Sequence, residues 1–230
     1  MSRASAPHGR TGRPPVTSRP EILAAARALI DRDGWEKLTV RRLATELGIG
    51  ATTLYHHVRD KEDLLLLLIN EYAGQITEPD LPADPGGRIV GAATALHGAL
   101  TDWPWATEVL TADGFIALLG DPALWTVETI VDGAIAGGCD SEQAVMLFRS
   151  IWYYTVGEIL VRAHSSRARG TVPDRPPRDG FFGNLDAERL PRLTALGDRW
   201  PLIAARDTYR QGLQALVDGY LARTGVSPEG

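Results

Sequence analysis

A chain of 230 residues, 44% apolar and 23% charged, can bury a substantial core, which excludes disorder along its whole length. Its longest uninterrupted apolar run, Leu64 to Ile69, falls far short of the roughly 18 residues of a membrane helix. One cysteine, Cys139, cannot close an internal disulfide, and no secretory or transit-type segment opens the chain, so a reducing cytoplasm is the expected compartment.

The net charge of -5 hides an asymmetry. Residues 1–64 carry 11 Lys and Arg against 8 Asp and Glu, whereas residues 65–230 carry 13 against 21. An acidic total therefore says little against binding to polyanions, because the face that meets the phosphates decides. With only Lys37 and Lys61 as lysines, the basic character rests on arginine.

Residues 1–19 hold four arginines, no acid and a scatter of Gly, Pro, Ser and Thr, which reads as a disordered basic arm. Ser18 and Glu21 have capping-box spacing, and Ile22, Leu23, Ala26, Leu29 and Ile30 follow at helical period up to Gly34. Thr39 is the expected N-cap of a short second helix carrying Val40, Leu43, Ala44 and Leu47, which Gly48 ends in a left-handed conformation. A third helix is expected over Ala51–Val58, buried through Leu54 and Val58, and Asp60 caps a fourth from Lys61 to about Ile76. That fourth helix is apolar almost all round at Leu64 to Ile69, as a connector packed on two sides is. Three prolines and two glycines between Glu78 and Gly87 follow it. Further helices are expected at 87–102, 105–112, 122–137, 141–164, 186–197 and 203–223, with an Arg-, Pro- and Gly-rich loop over Ser165–Asn184.

The expected fold is all-α: a disordered arm at 1–19, a three-helix helix-turn-helix domain at 20–66, and a larger helical domain at 67–225. In a helix-turn-helix unit the second helix of the pair enters the major groove of DNA. Setting aside the buried Leu54 and Val58, that helix offers Gly50, Ala51, Thr52, Thr53, Tyr55, His56, His57 and Arg59, a set without acids and rich in hydrogen-bonding groups. The arm adds Gly12-Arg13-Pro14-Pro15, which can lay an arginine into a narrow A·T-rich minor groove.

The run Leu38 to Gly48 (LTVRRLATELG) and the run Thr53 to Leu65 (TLYHHVRDKEDLL) resemble the DNA-binding signature of the tetracycline-repressor (TetR) family, over about residues 20–70. The resemblance implies base or groove proximity for Gly50, Ala51, Thr52 and Tyr55, and phosphate contacts for Thr39, Arg41, Thr53, His57 and Lys61. Arg42 and His56 complete the expected DNA-binding set. It also implies a homodimer formed by the last two long helices, a double-stranded operator as partner, a small-molecule effector held in the C-terminal domain, and repression relieved by that effector. Gly157, Gly212 and Gly219 lie inside those two helices, where each costs about 1 kcal/mol relative to alanine, and they are read as points of close backbone approach.

For the effector, the central helices supply His97, Trp103, Trp105, Phe115, Leu118, Trp125, Glu128, Trp152, Tyr153 and Thr155, many aromatics with a few polar handles. Members of the family that bind magnesium-chelated tetracycline use histidines without a match here, and neither cofactor nor metal is called for. Two other classes were weighed. An enzyme lacks a phosphate loop, metal-ligand spacing, nucleophile elbow or dinucleotide fingerprint in this sequence, and His56 and His57, adjacent on a helix, point about 100° apart. A helical small-molecule or partner-binding protein without an operator leaves the composition of the third helix unexplained.

Overall fold

A computed structural model describes residues 18–76, 78–111, 115–171 and 185–224, and among them every regular element is a helix. The basic arm with Gly12, Arg13, Pro14 and Pro15 falls outside the described residues, as do residues 172–184 of the expected loop. The chain divides into two compact units between Leu68 and Ile69.

The first unit opens with α1 (Arg19–Asp33), whose start is a complete capping box: the Ser18 hydroxyl accepts from the Glu21 N–H while the Glu21 carboxylate accepts from the Ser18 N–H at 2.7 Å. Gly34 stops the helix, and a single 3-10 turn, Trp35–Lys37, leads to α2 (Val40–Glu46). Thr39 caps α2 by accepting from the Arg42 N–H at 3.2 Å. At Gly48 φ is +65°, the left-handed region where a Cβ is penalised, and this turn directs the chain into α3 (Ala51–Tyr55). The third helix is shorter than expected. Past Tyr55 the N–H groups of His57 and Val58 both converge on the Leu54 carbonyl, which closes a final turn and ends the element. Ile22, Leu29, Leu38, Leu43 and Leu54 are fully buried and form the small core that fixes these helices.

Helix α4 (Lys61–Ala73) carries Leu64, Leu65 and Leu68 of the first unit and Ile69, Tyr72 and Ala73 of the second, all buried. It ends three residues before Ile76 because Gly74 loosens the last turn, where Gln75 and Ile76 donate to carbonyls three residues back.

The second unit continues with α5 (Pro85–Thr101), capped by Asp84, then α6 (Pro104–Val109), a 3-10 turn at Phe115–Leu118, α7 (Asp121–Ala136) and α8 (Ser141–Thr171). After these come α9 (Pro191–Leu196), α10 (Arg199–Ala204) and α11 (Tyr209–Thr224). Helix α8 runs through Ser165 to Thr171, where a loop was expected, because the segment up to Arg169 holds no residue that stops a helix. The expected helix from 203 is instead two: α10 ends at Ala204, and Asp207 restarts the chain by accepting from the Tyr209 N–H at 3.0 Å.

Helices α5, α7, α8 and α11 enclose the main core, with Ile89, Ile130, Leu147, Ile151, Leu213 and Val217 at its centre. The stretch Ser141–Ser165 of α8 is long and apolar enough to cross a membrane, but Ala144, Leu147, Phe148, Ile151, Trp152 and Ile159 of that stretch are spent on this core. Tyr209 ties three helices together: its hydroxyl lies 2.7 Å from the Thr155 hydroxyl and donates to the Ala93 carbonyl at 3.2 Å. Burial pushes its phenol up to about 12, partly offset by the Thr155 hydrogen bond. Cys139 is also buried, and burial with the neighbouring Asp140 pushes its thiol up.

One group in this unit is unsatisfied. Thr107 in α6 is fully buried, and its hydroxyl finds no hydrogen-bond partner among the described residues. Thr107→Val keeps the shape and removes the stranded hydroxyl, so it should stabilise the protein by about 1 kcal/mol, read as a higher melting temperature. An unchanged or lower value would show that the hydroxyl is satisfied in solution.

Candidate nucleic-acid interface and effector cavity

In the first unit, Leu54 and Val58 anchor α3 and the turn after it, leaving Thr52, Thr53, Tyr55, His56 and His57 exposed, with Ala51 half-buried and Gly50 exposed at the N-cap. Tyr55 is 51% exposed, which removes it from the core of this unit. Thr39 and Arg41 are exposed beside them at the start of α2. Arg41 makes no side-chain hydrogen bond or ion pair among the described residues, so its guanidinium is available to a phosphate.

Other basic side chains are already engaged. Arg42 pairs with Asp33 and donates to the Lys37 carbonyl, bracing α2 against the end of α1, and Arg32 pairs with Glu46 at 3.2 Å. Lys61 donates to the Glu36 carbonyl at 3.0 Å with its ammonium 4.8 Å from the centre of the Trp35 ring, so it locks the 3-10 turn to the start of α4.

The turn from α3 into α4 is held reciprocally: the Asp63 N–H donates to Asp60 at 2.8 Å, and the Asp63 carboxylate accepts from the Arg59 N–H at 2.9 Å and from its guanidinium at 3.0 Å. The Arg59 backbone hydrogen bond, followed by its side chain, holds the Asp63 carboxyl below the usual aspartate range. A carboxyl so depressed contributes stability above the unfolded value near pH 4 and loses it as pH falls through the lower folded value. Stability of the wild type should therefore fall more steeply than that of Asp63→Asn between roughly pH 5 and pH 2. Parallel curves would remove Asp63 from the acid response.

The second unit contains an apolar cavity of about 50 Å³. Tyr72 from α4, Leu100 from α5, Trp103 at the N-cap of α6, Thr126 from α7, and Phe148 and Trp152 from α8 are among its walls, and among the described residues no charged side chain lines it. Tyr72 and Trp103 stack face to face with centroids 3.5 Å apart.

Of the ten residues singled out for an effector, Trp103 and Trp152 meet at this cavity. Trp105 is buried in α6 without lining it, and Trp125 is half-buried on α7. Leu118, Glu128 and Tyr153 are exposed, Tyr153 at 60%. The Phe115 side chain falls outside the described residues. Thr155 is committed to Tyr209, while His97 stacks on the Tyr209 ring at 3.7 Å and meets the Glu158 carboxylate at 2.7 Å. Glu158 also pairs with Arg162, which reaches Asp207 at 3.2 Å.

Residues 22–68 match the family model for bacterial regulatory proteins of the tetR family. An HTH-type transcriptional regulator of Saccharopolyspora erythraea is 29% identical over 219 residues, covering 92% of this chain and 88% of that protein. The HTH-type transcriptional repressor DrrR1 of Streptomyces coeruleorubidus is 27% identical over 222 residues, 90% of this chain and 78% of its own length. Residues 22–68 are thus a DNA-binding module of the tetR type.

The fold of the chain agrees with that of the Streptomyces coelicolor protein ActR in complex with actinorhodin, with a TM-score of 0.71 at 22% identity over 91% of this chain and 99% of ActR. That module, with the likeness to HTH-type transcriptional regulators over most of the chain's length, makes the chain a DNA-binding transcriptional regulator of the helix-turn-helix type. Among the cavity residues that sequence reasoning passed over are Tyr72, Leu100, Thr126 and Phe148. One signal was present: Ile69, Tyr72, Ala73 and Ile76 recur at helical spacing beyond the Leu64–Ile69 run, and all four line the cavity.

Proposed function

We propose that this chain is a homodimeric repressor that occupies a palindromic operator through α3 of each subunit and leaves it when a small molecule fills the cavity of the second unit. The observation that carries this reading is α3 itself, held from beneath by the fully buried Leu54 and presenting an acid-free surface of Thr52, Thr53, Tyr55, His56 and His57 beside the unpaired Arg41. Gly50, Ala51, Thr52 and Tyr55 approach the groove, and Thr39, Arg41, Thr53, His57 and Lys61 hold phosphates, with Arg42 bracing α2 from behind. Phosphate contacts set register and groove contacts set sequence preference. The working domains are 20–66 for DNA and 67–225 for effector and dimer, acting in the cytoplasm without a catalytic step.

Two copies are needed because one short helix buries little in a groove, whereas two on a palindrome about 34 to 36 Å apart add their binding energies. Helices α8 and α11 supply the matching face: Val145, Met146, Tyr153 and Val161 are large, apolar and exposed, and around Gly157 and Gly219 an added Cβ meets nothing within 4 Å of the same chain. Gly212 differs, since a Cβ there meets the Tyr154 hydroxyl of its own subunit. Gly219→Ala should raise helix propensity by about 1 kcal/mol yet weaken the dimer in sedimentation measurements, because the partner's backbone occupies that space. A dimer of unchanged strength would take Gly219 out of the interface.

Effector binding and operator binding are linked reciprocally, through α4, which begins in the first unit and ends at the cavity. The test is a gel shift on the DNA flanking the protein's own gene with and without random competitor. Retention of one fragment under excess competitor at moderate salt is expected, and indifference between that fragment and random duplex overturns the reading.

A further inference from the structure

Resting on the reading of the second unit as an effector domain, we infer that the effector is an uncharged, flat aromatic molecule that inserts between Tyr72 and Trp103.

Charge is excluded by the walls. Among the described residues none of the walls carries a charged side chain, and the polar groups they bring are the Thr126 hydroxyl, the Tyr72 phenol and the Trp103 and Trp152 indole N–H groups. Glu71, Glu128 and Arg149, next in sequence to lining residues, are not among the walls, and His97 on α5 is turned to Glu158 on α8 at 2.7 Å, with Glu158 further held by Arg162. An ion entering the cavity therefore loses its water and gains no counter-charge, a penalty of several kcal/mol that the apolar walls do not offset.

Flatness follows from the stack. As it stands the cavity, about 50 Å³, is smaller than the roughly 150 Å³ that admits benzene in an apolar protein interior, so a ring enters only where side chains part. Tyr72 and Trp103, stacked at 3.5 Å, are two broad aromatic faces already parallel to within 27°. A planar ring sliding between them replaces one stacking contact by two, with Phe148 and Trp152 at hand for edge contacts. An aliphatic chain gains no such exchange. Because Tyr72 belongs to α4, parting the stack displaces the helix that leads back to the DNA-binding unit.

The test uses the full-length, DNA-free protein and four probes by calorimetry: 1-naphthol, 1-naphthoate, 1-naphthylmethylammonium and 1-decanol. Expected is saturable binding of 1-naphthol, with the anion and the cation at least roughly 100-fold weaker and decanol weaker than naphthol. Tyr72→Leu should weaken naphthol roughly tenfold, while Tyr72→Phe, which keeps the ring and the fold, should bind it as the wild type does. Naphthoate or the ammonium binding as tightly as naphthol, decanol binding more tightly, no naphthol binding, or Tyr72→Leu binding like the wild type would each overturn the inference. Operator release under naphthol is a separate readout that bears on the regulatory reading alone, so the two fail independently.

Discussion

Thr53→Glu should leave the protein folded and remove its operator binding. Thr53 is exposed in the first turn of α3, where a carboxylate faces the positive end of the helix, so the substitution favours the helix by about 0.3 to 1 kcal/mol. Under the proposed docking, in which the Thr53 hydroxyl meets a phosphate, the same carboxylate loses that contact and adds repulsion. At about 1 to 3 kcal/mol for each contact, doubled by the two half-sites of a dimer, the loss is roughly 30-fold to 10⁴-fold. Fluorescence anisotropy on operator DNA at fixed salt, with circular dichroism as the check on folding, measures it. Operator affinity within threefold of wild type would place α3 away from the duplex.

Leu54→Ala, one residue on, should fail in the opposite way. Leu54 is wholly buried beneath α3, and truncating such a leucine costs about 2 to 5 kcal/mol. The first unit has a small core, with Ile22, Leu29, Leu38 and Leu43 among its members, so this is a large share of what holds it. A separate low-temperature unfolding transition is expected in scanning calorimetry, with operator binding lost at growth temperature and the main transition of the second unit preserved. A single transition at the wild-type temperature would mean that the core closes around the missing side chain.

These adjacent residues show why the DNA-binding half was legible in the sequence. Its signals are local: Ser18 with Glu21, Thr39 with Arg42, Gly48 in a left-handed turn and Asp60 with Asp63 each fix a boundary through groups three residues apart or fewer. The effector half is different. Trp103 and Trp152 could be picked out as aromatic, but what brings them together with Tyr72 and Phe148 is the packing of α4, α5 and α8, and no spacing along one helix encodes which helices meet. Trp105 and Trp125 have the same residue type at similar spacing and lie off the cavity. The same limit explains the C-terminal boundaries. Helical periodicity runs through 203–209 without a glycine, and the break depends on the Asp207 carboxylate choosing the Tyr209 N–H.

The lone cysteine sets how the molecule meets oxidants. With Cys139 sunk in the core and burial pushing its thiol up, peroxide meets little thiolate there, and the chain has no second cysteine to close a bridge. It follows that a new cysteine placed on the exposed face of α3 would take a maleimide dye selectively in the native protein, giving distance measurements between subunits without first removing the natural one.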